Sequence, residues 1–422
     1  MRKLNIAMLS IHSSPLGELG KRNNGGMSVY IIELAAELER LGHRIDIFTL
    51  RRARSGGPQL KMGERTRLVH IDAGDVDHLS KPRMYDRLER FFDGLERFRR
   101  TGDITYDLVH SHYWISGQVG EWAQAGWQVP HLVTFHSLGM IKKRVLNMPR
   151  ETDLRIKVER QLAKTCDSIV VPTRRELENM VGYYDAPRDK MALIPCGVNL
   201  KRFALRDRRE AMHQLGLPSD KSILLYVGRF TSEKGIDRLL AAMPSIEAGL
   251  RPHLVMIGGD GDKDEGTTGI KELARRLGLA EQVTFAGRIP QDRLPLYYSA
   301  ADLMVLPSLY ESFGLVALES LACGTPVVST PVGALEHVIL DGKTGEVVNE
   351  PGPEALARGI SRVLTRIRSG GISREEIRAS VRNFDWAHIA AAISKEYLRL
   401  VETRQKKTEG GACRDASMPA AN

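Results

Sequence analysis

Short apolar runs alternate with amphipathic helical segments along most of the chain, and the alternation occurs in two separate series. The runs of the first series are residues 4–9, 45–48, 108–110, 132–135 and 169–171. Those of the second series are residues 223–227, 254–257, 283–285, 303–306 and 327–329. Buried strands joined by helices are typical of parallel sheets with helices on both faces. The sequence therefore predicts an α/β protein with two Rossmann-like, doubly wound domains.

The spacing of apolar residues predicts three helices of the first domain. One begins near Met27 and ends at Gly42, a residue type that often follows the last turn of a helix. A second covers residues 84–98, and a third opens at Phe384 and ends near Val401. The first two have one apolar face, so we expect them to pack against a sheet.

A polar, charged segment at residues 200–220 separates the two series and predicts a domain boundary. We assign residues 1–200 and the C-terminal helix, about residues 385–404, to the first domain, and residues 201–384 to the second. Residues 405–422 are rich in Ala, Lys and Gly and are predicted to form a disordered tail. Two Rossmann-like domains of this kind face each other across a cleft, where the carboxyl ends of the strands bind the ligand.

Positive charge is concentrated in the first half of the chain. Residues 1–200 contain 31 basic and 24 acidic residues, a net charge of +7, whereas the whole chain carries +9. A basic half favours an anionic ligand, although a solvated face rich in Arg would have the same composition. The sequence lacks zinc-finger, RRM and basic-zipper signatures, so nucleic acid is not expected as a partner.

The sequence also bears on the compartment in which the protein works. It contains no run of 18 apolar residues that predicts a membrane span, and no small-residue cleavage site follows the apolar start. Cys166, Cys196, Cys323 and Cys413 lack metal-ligand or CxxC spacing, which suits buried thiols in a reducing compartment. We expect a cytoplasmic protein, and the sequence leaves open a homodimer and a contact with a membrane surface.

The standard nucleotide and metal motifs do not match this chain. A Gly-Lys-Thr string at residues 342–344 resembles the end of a Walker A loop but lacks the glycine required upstream. No G-x-G-x-x-G fingerprint follows the first strand, which weakens an NAD oxidoreductase as an interpretation. Acidic strings at residues 75–77 and 260–262, and the pair His110 and His112, are weak metal candidates, so no metal site is expected.

Each half has a candidate ligand-binding segment after a strand, with glycines in the first half and cations in the second. A glycine-rich loop at residues 17–26 ends in Gly25 and Gly26, where a ligand could approach the N–H groups that open a helix. In the second half, Arg229 and Lys234 follow a strand and could neutralise a diphosphate. The alternative interpretations are a plain turn for the two glycines and a surface pair of cations for Arg229 and Lys234.

The segment from Glu311 to Glu319 is the most specific. Two glutamates eight positions apart span just over two helical turns and would face the same side. A strand at residues 303–306 and a loop with Gly314 precede the helix, so the N–H groups of Ser312–Leu315 could bind an anion. Carboxylates there could accept hydrogen bonds from sugar hydroxyls, and helix capping with a surface carboxylate is the alternative.

These segments together resemble the retaining glycosyltransferases of family 4, which have a GT-B fold. The E-x7-E motif at 311–319, the strings at 228–235 and Gly324-Thr325-Pro326-Val327-Val328 fit the family, and the resemblance extends to about residue 400. Segments of the first domain resemble a subgroup that includes sucrose-phosphate synthase and the inositol-3-phosphate N-acetylglucosaminyltransferase of mycothiol synthesis. Those segments are residues 12–16, 25–30, 110–114 and 134–137.

The resemblance implies a metal-independent, retaining hexosyltransferase that needs no cofactor and uses a nucleotide-diphosphate sugar, with a UDP-sugar favoured. Front-face attack, in which a phosphate oxygen helps to deprotonate the acceptor, is also implied. The implied donor-binding residues are Gly25, Gly26, Arg229, Lys234, Arg288, Ile289, Glu311, Ser312, Phe313, Gly314, Leu315 and Glu319. Glu319 would bind the ribose hydroxyls, Ile289 would contact the base through its backbone, and Glu311 would hold a sugar hydroxyl.

The implied acceptor is a hydroxyl compound, such as a sugar phosphate or an inositol phosphate. Its implied binding residues are His12, Ser28, Lys81, Tyr113, Ser137 and Arg155. Ser28 and Ser137 stand where the inositol enzymes have Asn and Thr, and Arg155 could instead form an ordinary helix pair with Glu159. The implied catalytic residues are His136, beside the transferred sugar, and Arg229, Lys234 and Glu311.

The sequence leaves other functions open. One is a glycosyltransferase of polysaccharide or lipid-linked glycan synthesis. The others are a nucleotide-sugar epimerase, which would turn over the donor without an acceptor, and a non-catalytic protein that binds sugar nucleotides.

Overall fold

The computed structural model describes residues 2–17, 25–53, 55–77, 79–146, 152–259, 265–350 and 352–415. The chain divides into two compact units, the first comprising residues 1–16, 27–194 and 389–422 and the second residues 17–26 and 195–388. The sequence predicted the limits of the second domain at residues 201 and 384. Loop residues 18–24, the acidic string 260–262 and tail residues 416–422 lie outside the described residues.

A single sheet forms the centre of the first unit. Its strands in the described residues are β1 (Asn5–Leu9), β2 (Arg44–Leu50), β3 (Gln59–Lys61), β4 (Thr66–Ile71), β5 (Leu108–His112), β6 (His131–Thr134), β7 (Ser168–Val171) and β8 (Met191–Leu193). They lie in the order β3-β4-β2-β1-β5-β6-β7-β8. Within this sheet β3 pairs with β4 in the antiparallel direction, and the other pairings are parallel.

Helices connect these strands. They are α1 (Gly26–Arg40), α2 (Lys81–Tyr85), α3 (Leu88–Thr101), α4 (Trp114–Trp127), α5 (Gly139–Leu146), α6 (Thr152–Thr165) and α7 (Arg174–Tyr184). The first predicted helix ends as expected: Gly42 has φ +93° and its N–H donates to the Glu39 carbonyl. The helix predicted at residues 84–98 is instead two helices, because the chain leaves the helical conformation between α2 and α3 at Arg87, which has ψ 0°.

The second unit has a sheet that is parallel throughout its described strands. These are β9 (Ile223–Val227), β10 (His253–Ile257), β11 (Val283–Gly287), β12 (Leu303–Leu306), β13 (Val327–Ser329) and β14 (Gly345–Val347), in the order β11-β10-β9-β12-β13-β14. Its helices are α8 (Arg208–Gln214), α9 (Ile236–Ala242), α10 (Glu265–Arg276), α11 (Leu294–Ala300), α12 (Leu315–Ala322), α13 (Leu335–Val338), α14 (Pro353–Arg368) and α15 (Arg374–Ser380). The predicted α/β class with two Rossmann-like domains is confirmed.

The strand order of each sheet fixes where a ligand can bind. In the first unit the order reverses between β1 and β5, and in the second between β9 and β12. At such a switch point the two following loops leave in opposite directions and open a crevice at the carboxyl ends of the strands. The residues that follow these four strands are therefore the first candidates for a site.

The C-terminal helix α16 (Trp386–Asp415) is longer than predicted. Its Ser394 hydroxyl lies 2.8 Å from Nε2 of His43, and its Tyr397 hydroxyl lies 2.6 Å from Nδ1 of His110, so the helix packs on the first unit. Residues 405–415 were predicted to be disordered but form the last part of α16. None of the helices in the described ranges combines the length and hydrophobicity needed to cross a membrane.

Candidate active site

The side chain of Tyr113 lies at the centre of the predicted acceptor residues of the first unit. Arg155 donates from Nη1 to the Tyr113 hydroxyl at 3.0 Å, and Nζ of Lys81 donates to the same oxygen at 3.2 Å. Both cations also lie over the Tyr113 ring, at 4.7 and 4.9 Å from its centroid. The ring of His12 lies 4.4 Å from the Tyr113 ring. The structure thus brings together residues that the sequence separates widely.

Sheet topology explains this convergence. His12 follows β1, Tyr113 follows β5 directly, and Ser137 follows β6, so all three lie beyond the carboxyl edge of one sheet. Tyr113 has φ +77° and His136 has φ +59°, and residues other than glycine rarely adopt positive φ values. Backbone strain of this kind concentrates at functional sites.

Arg155 is buried and is held by several groups at once. Its Nε donates to Glu159 at 2.6 Å, and its Nη2 donates to the Ser137 hydroxyl at 3.0 Å and to the Ser137 carbonyl. Glu159 also accepts the Tyr184 hydroxyl at 2.6 Å and the Gly139 N–H at 3.0 Å. The helix pair considered from the sequence is therefore present, and the same guanidinium also reaches Tyr113 and Ser137.

Histidines form a buried network beside this cluster. Nε2 of His136 lies 2.9 Å from Nδ1 of His112, and the edge of the Tyr30 ring contacts His136 at a centroid distance of 5.0 Å. Burial lowers the pKa of His136 to about 3, so its ring is neutral near pH 7. Burial, followed by Lys81, also lowers the pKa of His12 well below its usual value.

The metal candidates at residues 75–77 and at His110 and His112 do not gather into a site, and the string 260–262 lies outside the described residues. No group of three or more His, Cys, Asp or Glu side chains suited to a metal ion occurs in the described residues. His110 instead lies 2.9 Å from the Thr134 hydroxyl through Nε2. Ser28, an acceptor candidate, is buried in α1 with its hydroxyl 3.4 Å from that of Ser13.

The two glycines at the start of α1 have different surroundings, since a Cβ added at Gly26 would lie 3.2 Å from Cδ1 of Leu315. Gly26 opens the helix, and Gly25 precedes it. A Cβ added at Gly25 would meet no atom of the described residues within 4 Å. The described part of the chain therefore gives no steric reason for a glycine at position 25.

In the second unit, Lys234 and Glu311 form the centre of the predicted donor site. Nζ of Lys234 donates to Oε1 of Glu311 at 2.6 Å, and the Ser308 hydroxyl donates to the same oxygen at 2.8 Å. Arg229 contacts Glu233 at 3.4 Å and is more exposed than Lys234, at 41% against 16%. These residues follow β9 and β12, the two strands at the switch point.

Glu319 lies on α12 and is almost entirely buried, at 7% exposure. Its Oε2 accepts the Tyr298 hydroxyl at 2.8 Å, and its Oε1 accepts the Gln291 amide at 3.5 Å. Glu311 is not on the same helix, because Gly314, with φ +101°, ends a loop and α12 begins at Leu315. The expectation that two helical turns link the glutamates was therefore wrong.

The other predicted donor residues occupy the ends of neighbouring segments. Arg288 and Ile289 directly follow β11, the former exposed and the latter half-buried. Ser312 and Leu315 are half-buried beside the start of α12. The Phe313 ring is buried against Phe384 at 6.3 Å, and its carbonyl accepts the Ala334 N–H at 3.0 Å, so it anchors the loop.

Comparison with known proteins identifies the family. The family model "Glycosyltransferase Family 4" matches residues 24–202, and "Glycosyl transferases group 1" matches residues 207–383. A D-inositol 3-phosphate glycosyltransferase 2 from Catenulispora acidiphila is 38% identical over 94% of this chain and 95% of its own length. The chain belongs to glycosyltransferase family 4. A D-inositol 3-phosphate glycosyltransferase from Corynebacterium glutamicum is 33% identical to this glycosyltransferase over 93% of the chain and 96% of its own length.

A solved structure supports the same assignment. Sucrose-phosphate synthase from Thermosynechococcus elongatus superposes with a TM-score of 0.87 and is 32% identical, covering 95% of this glycosyltransferase and 100% of the solved chain. The predicted family, its subgroup and the GT-B fold class are confirmed. The family assignment argues against the epimerase, the non-catalytic binding protein and the oxidoreductase. The individual residue roles stay predictions.

The sequence missed several residues that hold the candidate side chains. Tyr184 holds Glu159, the helix partner of Arg155 that the sequence did suggest, while Ser308 fixes Glu311 and Tyr298 contacts Glu319. No local pattern marks the two tyrosines, since the Tyr184–Glu159 and Tyr298–Glu319 contacts span 25 and 21 positions of the chain. The resemblance, rather than the residue pattern, suggested most of the site that they support.

Proposed function

We propose that this glycosyltransferase transfers a hexosyl group from a nucleotide-diphosphate sugar to a hydroxyl of a phosphorylated sugar or cyclitol, with retention and without a metal ion. The observation that carries the proposal is the convergence of Lys81 and Arg155 on the Tyr113 hydroxyl. The relatives, a D-inositol 3-phosphate glycosyltransferase and a sucrose-phosphate synthase, support the same class of acceptor.

A phosphate monoester suits the cluster around Tyr113 because the charges match. Such a group carries about −1.5 to −2 near pH 7 and accepts several hydrogen bonds. Lys81 offers a movable ammonium, and Arg155 a planar fork of donors. His12 and His136 are neutral, so the positive charge at this place comes from Lys81 and from Arg155, whose charge is shared with the buried carboxylate of Glu159.

Two serines bear on which phosphorylated acceptor is used. Ser137 retains the hydroxyl of the threonine in the inositol enzymes, so its phosphate contact can be kept. Ser28 replaces a longer amide and offers less reach toward the ring of an acceptor. We therefore include hexose phosphates together with inositol phosphates in the proposed acceptor class.

The donor would bind through the second unit. Arg229 and Lys234 would neutralise the diphosphate, Glu319 would accept the ribose hydroxyls, and the Ile289 backbone would contact the base. Gly25 and Gly26 would let the donor approach the N–H groups at the start of α1.

The chemistry follows from the charge of the leaving group. As the bond from the anomeric carbon to the diphosphate oxygen breaks, negative charge builds on the phosphate, and fixed cations there lower the barrier. We propose that the acceptor hydroxyl attacks on the face from which the diphosphate leaves and passes its proton to a phosphate oxygen. His136 would lie beside the transferred sugar, and Glu311 would hold one of its hydroxyls. Lys234 and Arg229 supply charge that a metal ion supplies in other transferases. A nucleotide-sugar substrate also suits a cytoplasmic location.

The test is an acceptor screen that follows release of the nucleoside diphosphate from UDP-, ADP- and GDP-sugars. D-inositol 3-phosphate and hexose 6-phosphates are compared with their unphosphorylated counterparts, with and without EDTA. We expect release only with a phosphorylated acceptor, unchanged by EDTA, and a product whose anomeric configuration by NMR matches the donor. Equal rates with unphosphorylated acceptors would reject the phosphate role of the cluster, and an inverted product would reject retention.

A further inference from the structure

Tyr298 is held rigidly beside the Glu319 carboxylate. The whole Tyr298 side chain is buried, and its ring contacts the Phe203 ring edge-on at 6.0 Å. Its main-chain carbonyl accepts the Thr325 hydroxyl at 2.6 Å. The phenol therefore has a fixed position, from which its hydroxyl reaches Oε2 of Glu319 at 2.8 Å.

The contact has one direction, because the phenol keeps its proton and a carboxylate oxygen can only accept. Burial, followed by the charge of Glu319, raises the pKa of Tyr298 well above its usual value, so the hydroxyl keeps its proton. Gln291 approaches the other carboxylate oxygen at 3.5 Å, and Nη1 of Arg202 donates to Gln291 at 2.8 Å. The plane of the Glu319 carboxylate is thus set from both of its oxygens.

A ribose presents two neighbouring hydroxyls in a fixed geometry, and a carboxylate can accept both only if its plane matches them. A glutamate has three rotatable side-chain bonds, and orienting it costs conformational entropy unless the free protein has already done so. Pre-orientation by a rigid neighbour removes this cost from binding.

We propose that Tyr298 is a positioning residue that orients Glu319 and so sets the preference of the enzyme for donors with an intact ribose diol. The inference rests on the proposed role of Glu319 at the ribose. Tyr298 itself would not touch the donor, but it would determine how the enzyme recognises the ribose.

The experiment measures a ratio of dissociation constants by calorimetry. UDP, ADP and GDP are titrated first, and the tightest is then compared with its 2′,3′-dideoxy analogue. The ratio of the two constants is determined for the wild type, Tyr298→Phe, Glu319→Gln and Tyr297→Phe. The last variant is the matched control, because it removes a hydroxyl from the preceding residue of the same helix. Thermal unfolding without ligand reports the fold of each variant.

We expect the wild type to prefer the ribonucleotide, and Tyr298→Phe to weaken its binding up to about tenfold, because binding must then order a carboxylate that the free protein no longer holds. Binding of the dideoxy analogue should change less than twofold, and Tyr297→Phe should behave as the wild type. If Tyr298→Phe weakens both nucleotides equally, or neither, the inference is wrong.

The Glu319→Gln variant separates this inference from the proposed function. If it keeps the wild-type ratio, the ribose role of Glu319 fails, and the inference fails with it. If it loses the preference while Tyr298→Phe keeps it, only the inference fails. If Tyr298→Phe does not fold, the variant Thr325→Val, which releases the Tyr298 carbonyl, takes its place. It must lower the preference for the ribonucleotide over the dideoxy analogue, and an unchanged preference overturns the inference.

Discussion

Lys234 and Glu311 form a largely buried ion pair, with 2.6 Å between Nζ and Oε1 and side-chain exposures of 16% and 12%. The pair joins the segment after β9 to the segment after β12, which lie 77 positions apart in the chain. Removing one partner leaves the other without its closest opposite charge. A cation and a carboxylate that we assign to the donor therefore also support each other's position.

Lys234→Met should reduce kcat by about 10²–10³, the cost of losing one group that stabilises developing negative charge. Steady-state kinetics with saturating donor and acceptor measure this. Lys343→Met, at an exposed lysine of the same unit, is the matched control and should keep full activity. A Lys234→Met enzyme with wild-type turnover would remove this lysine from the mechanism.

Lys81→Met should raise KM for a phosphorylated acceptor about tenfold or more, because the phosphate loses a charged donor while the apolar stem of the side chain is kept. The KM for the donor should not change. Kinetics with each substrate varied in turn give both values, and Lys61→Met, at an exposed lysine of β3, serves as the control. An equal rise in both KM values would indicate a general structural role for Lys81.

The sequence predicts strands of this fold well where burial is complete. Residues 223–227, 303–306 and 327–329 were predicted with the observed bounds, because every one of their residues is buried in a central parallel strand. The strand Gly345–Val347 was missed, since it is only three residues long and includes a charged residue. The break between α2 and α3 was also missed, because the apolar spacing continues through it.

Site residues behave differently from strands. The resemblance named Tyr113, Lys81 and Arg155, and the sheet topology explains why they meet. Glu159 lies one helical turn from Arg155 and could be suggested from the sequence, but Tyr184, which holds Glu159, depends on a contact between separate helices 25 positions apart. Such contacts leave no periodic or local pattern, so only the folded chain reveals them.

Gly25→Ala should leave thermal stability unchanged and raise KM for the nucleotide sugar severalfold. The added methyl meets no atom of the described residues within 4 Å, and it would obstruct a ligand that approaches the backbone. Gly182→Ala, at an equally open position inside α7, is the control and should stabilise the fold by about 0.5–1 kcal/mol. Unaltered donor kinetics in Gly25→Ala would argue against the approach of the donor to this turn.

Glu176 gives the fold a distinctive pH dependence. Its carboxyl group is buried in the first turn of α7, and its Oε1 has no hydrogen-bond partner within the part of the chain that the structure describes. Burial, and then the charge of Glu159, raise the pKa of Glu176 to about 8, from an ordinary value of 4.5. The folded chain therefore holds this proton across a range in which the unfolded chain has released it.

The sign of the effect follows from linkage. A raised carboxyl pKa contributes stability that is complete below about pH 4.5 and is lost as the pH rises through about 8. Glu176→Gln cannot lose a proton, so its free energy of unfolding relative to the wild type should increase steadily between these two pH values and level off above them. Urea unfolding at a series of pH values measures this difference, and taking it against the wild type cancels the opposite contribution of the buried histidines. Glu178→Gln, on the exposed side of the same helix, should show no such rise, and a flat difference for Glu176→Gln would mean that this carboxyl is ionised in the folded protein.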